Sequence, residues 1–165
     1  MPGSFSLEEW LSERSRQIIR GRREIVFEHP GRGKSLLLLR SSGTSVRWAE
    51  NASVLKSIYS ECDGGFIGGG YLLIGTPAKQ SVATSAGVTI PTIDQIRSVS
   101  EQQGLVFCPN EIPFMTIGYM FVYTISEGEK LLCHDRDFHT VRDSESIREV
   151  LENWWSIKLA DENNS

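Results

Sequence analysis

"EHPGRGKSLLLL", residues 28–39, contains Gly33-Lys34-Ser35, the ending of a phosphate-binding loop. How this stretch is read decides the fold. In a phosphate loop, G-x-x-x-x-G-K-[ST] joins a strand to a helix, and its glycines let backbone N–H groups wrap the phosphates. Here the first glycine position is Glu28. Its carboxylate repels phosphate, and its Cβ resists the open backbone that the loop needs. The apolar run from Ser35 stops at Ser41-Ser42-Gly43, too short for the required helix. With "REIVFEH" (23–29) before it, the stretch reads as a β-hairpin closed by the turn "PGRGK". Lys34 is expected in solvent beside that turn, with no nucleotide bound.

Outward from the hairpin, Ser6-Leu7-Glu8-Glu9 has the form of a capping box. Leu7, Trp10, Leu11 and Ile18 recur at helical spacing and predict a helix over 7–19, ended by Gly21. Val54, Leu55, Ile58 and Tyr59 predict a second helix, stopped at Gly64-Gly65. "FIGGGYLLIG" (66–75) is expected as one strand bent at its glycines, and "TPAKQSVATSAG" (76–87) as a loop. Pro91 opens a short helix with Ile93, Ile96 and Val99 on one face and Gly104 at its end.

The last third predicts a three-stranded antiparallel meander: "MTIGYMFVYTIS" (115–126), "KLLCHD" (130–135) and "FHTVR" (138–142). Asp143 then caps a final helix with an apolar stripe of Ile147, Val150, Leu151 and Trp154, and 160–165 is expected to fray. Strands and helices do not alternate regularly. The expected fold is therefore α+β, a single domain over 1–165. Its mainly antiparallel sheet is packed by N-terminal, middle and C-terminal helices.

Composition narrows the function. A chain of 165 residues suits one domain with a real core. The formal net charge is −4, without a long basic run, which argues against a nucleic-acid binder. The longest aliphatic run, Leu36–Leu39, is far short of a membrane span. Three cysteines without a secretion signal point to reduced thiols and a cytoplasmic location.

"CHDRDFH" is the stretch richest in reactive side chains. Cys133, His134, Asp135, Asp137 and His139 are all possible metal ligands or acid–base groups. On a strand, Cys133 and Asp135 face one way and His134 the other. A turn at Arg136-Asp137 could bring His134 near His139, but a metal site needs a third ligand from elsewhere. The favoured reading is a polar hairpin whose aspartates suit the turn, with no cofactor. The alternative is a small metal-dependent hydrolase built on 133–139. Trp10 and Trp154 fit core stripes; Trp48 and Trp155 could be exposed anchors, but packing against a neighbouring element is the favoured reading for both.

Several of these features occur in a familiar order. Tyr59, Asp63, Gly64 and Gly65 end the second helix, and "FIGGGYLLIG" follows. His134, Asp135, Val141, Asp143 and Ser144 then lead into a helix bearing Ile147, Val150 and Leu151. From about Trp48 to Trp155 the chain resembles the SUKH superfamily of bacterial toxin-immunity proteins and a yeast cell-wall regulator. It departs from that pattern at "MTIGYMFVY" and at "WAENAS". The resemblance implies a non-catalytic, cytosolic protein-binding module. The implied partner is a protein, such as a basic toxin domain with nuclease activity, and neither nucleic acid nor membrane. Tyr59, Asp63, Gly64, Gly65, Tyr71, His134 and Asp135 are the expected partner-binding residues.

Overall fold

The stretch around Gly33-Lys34-Ser35 forms a hairpin, not a phosphate loop. The computed structural model describes residues 5–40, 53–127 and 129–163. In chain order the elements begin with α1 (Leu7–Arg14), β1 (Arg16–Arg20), β2 (Glu24–His29), β3 (Gly33–Leu39) and α2 (Ser53–Tyr59). Next come β4 (Cys62–Ile67), β5 (Leu72–Ile74), β6 (Val82–Ala83), β7 (Thr89–Ile90) and α3 (Ile93–Gln102). The chain ends with β8 (Ile112–Ile117), β9 (Phe121–Ile125), β10 (Leu131–Asp135), β11 (Thr140–Asp143) and α4 (Ile147–Asn163).

These residues form one α+β domain around a nine-stranded sheet, ordered β1-β2-β3-β4-β5-β8-β9-β10-β11. Every neighbouring pair in it is antiparallel. Alternation along the strands makes two different faces. Ile25, Phe27, Leu37, Ile74, Met115, Tyr123 and Cys133 face α1, α2 and α4 and form the main core with Trp10, Tyr59, Leu151, Trp154 and Trp155. Val26, Leu36, Leu38 and Phe66 turn the other way, toward Ile90 on the small β6–β7 hairpin. Val122 meets Ile96 of α3 and Leu105 on that second face. The Trp154 indole N–H donates to Ile67 O at 3.0 Å, tying α4 to β4.

Several expectations change. The first helix ends at Arg14, because Ser15 is extended (φ −135, ψ 159) and 16–20 pairs with β2. Pairing overrides helical spacing there, and the β-branched Ile18-Ile19 suit a strand. The second helix stops at Tyr59, and Gly64-Gly65 lie inside β4 instead of capping it. "FIGGGYLLIG" is two strands with a turn between them, and 76–87 contains β6. "MTIGYMFVYTIS" is likewise two strands, β8 and β9, so the meander has four. Its extra turn forms where Gly118 and Tyr119 both take φ 59, a left-handed conformation that Gly adopts without a Cβ penalty.

Phe138 and His139 belong to the β10–β11 turn, not to a strand. Ser146, rather than Asp143, caps α4: its hydroxyl accepts from Glu149 N at 3.3 Å. That helix runs through Asn163, and 164–165 lie outside the described residues. Trp48 and "WAENAS" lie outside them too. The Pro91 helix forms as expected. Thr92 caps its start, and Gly104 (φ 94) closes its end with Leu105 N donating to Ser100 O at 3.1 Å.

Candidate functional site

Five of the residues singled out in the sequence are internal supports. Tyr59 is buried, and its hydroxyl donates to Gly75 O at 2.6 Å. Burial, followed by repulsion from Cys62 and Asp63, pushes that hydroxyl's pKa well up. A Cβ on Gly64 would lie 2.6 Å from Ile74 O, and one on Gly65 would overlap Leu36 O. The glycine pair therefore lets β3, β4 and β5 close on one another, and Asp63 is buried beside it. His134 is buried as well. Asp135 is half-buried, and its carboxylate accepts from Asp137 N (3.0 Å) and Phe138 N (3.2 Å), shaping the β10–β11 turn. Tyr71 is the exposed member of the seven. The structure does not gather them on one surface.

His134 has a partner that no motif announces. Its Nε2 meets a carboxylate oxygen of Glu111, and both side chains are buried. Thr124 Oγ1 donates to the same oxygen at 2.5 Å, and Cys108 N donates to the other at 3.0 Å. Phe107 closes the site edge-on against the imidazole, 4.7 Å between ring centres. Burial alone would raise the Glu111 carboxyl; hydrogen bonds from Thr124, Cys108 and His134, with attraction to His134, outweigh it and hold the pKa below the ordinary value. Glu111 sits 23 residues before His134, inside a Cys108–Glu111 turn. Only the turn-favouring Pro109-Asn110 hints at its placement.

The neighbouring Cys133 lies on the opposite face, in the main core, with its thiol pKa raised by burial. His139 is in the turn, where a Cβ on Gly104 would stand 3.6 Å from its ring. His134 instead pairs in register with Val141. Among the described residues no group of three or more His, Cys, Asp or Glu side chains comes together as a metal site requires. A cleft of about 440 Å³ opens between α3, residues 76–78 and the stretch 109–113 that leads into β8. Its Arg97 is already engaged by Glu111 O, by Glu101 at 3.7 Å and by the Phe107 ring at 5.5 Å.

Four of the seven large apolar side chains exposed among the described residues lie on or beside the turns at one end of the sheet. In an antiparallel meander, alternate turns share an end, here β2–β3, β4–β5, β8–β9 and β10–β11. Gly69 N donates to Lys34 O at 2.8 Å and Gly68 N to the Ser35 hydroxyl at 2.9 Å, so the two glycine-rich stretches dock on each other. Gly118 N donates to Tyr71 O at 3.0 Å, and Arg136 N to Met120 O at 2.9 Å. Arg136 also reaches Gln103 at 3.4 Å, joining the end of α3 to this rim. Tyr71 (66% exposed), Met120 (43%), Phe138 (77%) and Val106 (83%) stand on these joined segments. Trp155 packs inside, as favoured over an exposed anchor: it is buried edge-on to Trp10 at 5.5 Å with Arg32 over its ring.

A scan against protein-family models, a search of curated proteins and a search of solved structures all found no match to this chain. Among the described residues no helix is long and apolar enough to cross a membrane.

Proposed function

We propose that this chain is a non-catalytic protein-binding module of the SUKH type. The observation that carries the reading is the turn rim, where Tyr71, Met120, Phe138 and Val106 stay in solvent beside a core that is already closed. Exposed apolar side chains on hydrogen-bonded neighbouring turns can form an interaction surface, and aromatic ones often supply much of the binding energy. The residues behind the family resemblance, Tyr59, Gly64, Gly65 and Asp135, support the reading by shaping strands and turns. The narrower reading is an immunity protein that occupies a toxin such as a nuclease. It rests on the resemblance and on the net charge of −4, which suits a basic partner. In this reading the protein works in the cytoplasm, where Cys62, Cys108 and Cys133 stay free thiols.

The test is bait purification from source cells, then reconstitution with the purified partner. The expected result is one protein that rebinds with a Kd of about micromolar or tighter. If the purified chain rebinds no protein, the reading fails. If the rebound protein is not a toxin, the immunity version fails while the module remains.

A further inference from the structure

Away from the rim, the sheet ends at β1, which pairs with β2 and has no strand on its outer side among the described residues. The local charge there opposes the charge of the whole chain. Between Arg14 and Arg23 lie five of the 17 lysines and arginines and no carboxylate, in a chain of net charge −4. Arg14 is engaged by Glu152 at 2.7 Å, and Arg20 faces Glu8 at 3.3 Å. Arg16, Arg22 and Arg23 are exposed, and among the described residues no carboxylate comes within ion-pair distance of them. Arg16 stands opposite Glu28 in the β1–β2 register. Ile19 is also exposed, between Arg16 and Arg20.

We propose that the outer edge of β1 docks an extended acidic peptide segment of another protein, which adds to the sheet as a strand. An edge strand offers unpaired N–H and C=O groups to such a segment, and side chains along it set the selectivity. Charge on an edge also guards against aggregation, and the far edge shows what that minimum looks like: β11 carries Arg142 and Asp143, which cancel. β1 itself carries Arg16 and Arg20, and the turn after it adds Arg22 and Arg23, so this edge and its turn together carry a surplus of one sign, in guanidinium forks that match carboxylate geometry. A nucleic acid could satisfy those forks but not the backbone row, so an acidic peptide fits both features and a nucleic acid only one. The surface does not depend on the turn rim, and either can fail without the other.

The test is fluorescence anisotropy with the full chain and a labelled octapeptide of alternating Glu and Val. Binding is expected to saturate and to weaken about tenfold or more in Arg16→Ser/Arg22→Ser/Arg23→Ser, checked for an unchanged melt. A peptide of equal charge with Pro at every Val position is expected to lose binding to the unaltered protein, because Pro cannot donate to the ladder. The rim variant Tyr71→Ser/Phe138→Ser is expected to bind the octapeptide like the unaltered protein. Absence of binding at low salt, equal binding of the Pro peptide, or tighter binding of a single-stranded oligothymidylate of equal charge would each overturn the proposal. The Pro comparison decides even if the triple arginine variant does not fold.

Discussion

The interior around β4 and β10 and the rim of turns at the sheet's end differ in how they use their residues. The interior holds Tyr59, Gly64, Gly65 and His134, which stand out in the sequence and are buried in the fold. The rim holds Tyr71, Met120, Phe138 and Val106, which are exposed, and of these Tyr71 alone stands out in the sequence as a candidate site residue. Residues that share a backbone task must be close in sequence or of special type, so they form recognisable patterns. Residues that share a surface are contributed one per turn, and only the folded sheet brings them together. Interior substitutions should therefore change stability, and rim substitutions should change binding.

The largest effect is expected at Gly65. A Cβ there would overlap Leu36 O of the neighbouring strand, with Leu37 Cα 3.1 Å away. Backbone cannot yield as a flexible side chain can, so Gly65→Ala is expected to cost about 4 kcal/mol or more in denaturant unfolding. A cost near 1 kcal/mol would mean that the strands separate easily and that the interior is less demanding than drawn.

Next comes Glu111→Ala, which leaves His134, Thr124 and Cys108 N without their shared acceptor. Breaking a buried pair in this way costs about 3 kcal/mol. The pH dependence follows from the lowered pKa of Glu111. Its contribution is fully present above the ordinary carboxylate value of about 4.3 and is lost as pH falls through the lower folded value. Unfolding curves at neutral and acid pH should therefore differ more for the unaltered protein than for Glu111→Ala. Equal acid sensitivity would remove Glu111 from the account.

Tyr59→Phe is the mildest interior change. It removes the hydroxyl that donates to Gly75 O and keeps the ring in the core, at an expected cost of about 1 kcal/mol. A loss of partner binding without loss of stability would move Tyr59 from the interior to the recognition surface.

The decisive hairpin was legible because Glu28 excludes a phosphate loop and the Pro30–Arg32 turn separates two apolar runs. The Thr92–Gly104 helix was legible because both of its ends carry local capping chemistry. The strand at 16–20 was not, because its conformation comes from pairing with β2, and Ile18 fits either period. Two turns were hidden inside "FIGGGYLLIG" and "MTIGYMFVYTIS". Alternation continues across a turn, and Tyr119 at φ 59 carries no sequence mark. Of the candidate site, His134 was visible, whereas Glu111 became its partner only through long-range folding.

The smallest stability effect and the most direct test belong to the rim. Tyr71→Ser/Phe138→Ser changes two exposed side chains, so its unfolding free energy is expected to stay within about 0.5 kcal/mol of the unaltered protein. Titration calorimetry of this variant against the reconstituted partner measures the central claim. The account predicts a Kd weakened about tenfold or more with the melt unchanged. An unchanged Kd in a folded variant would contradict it.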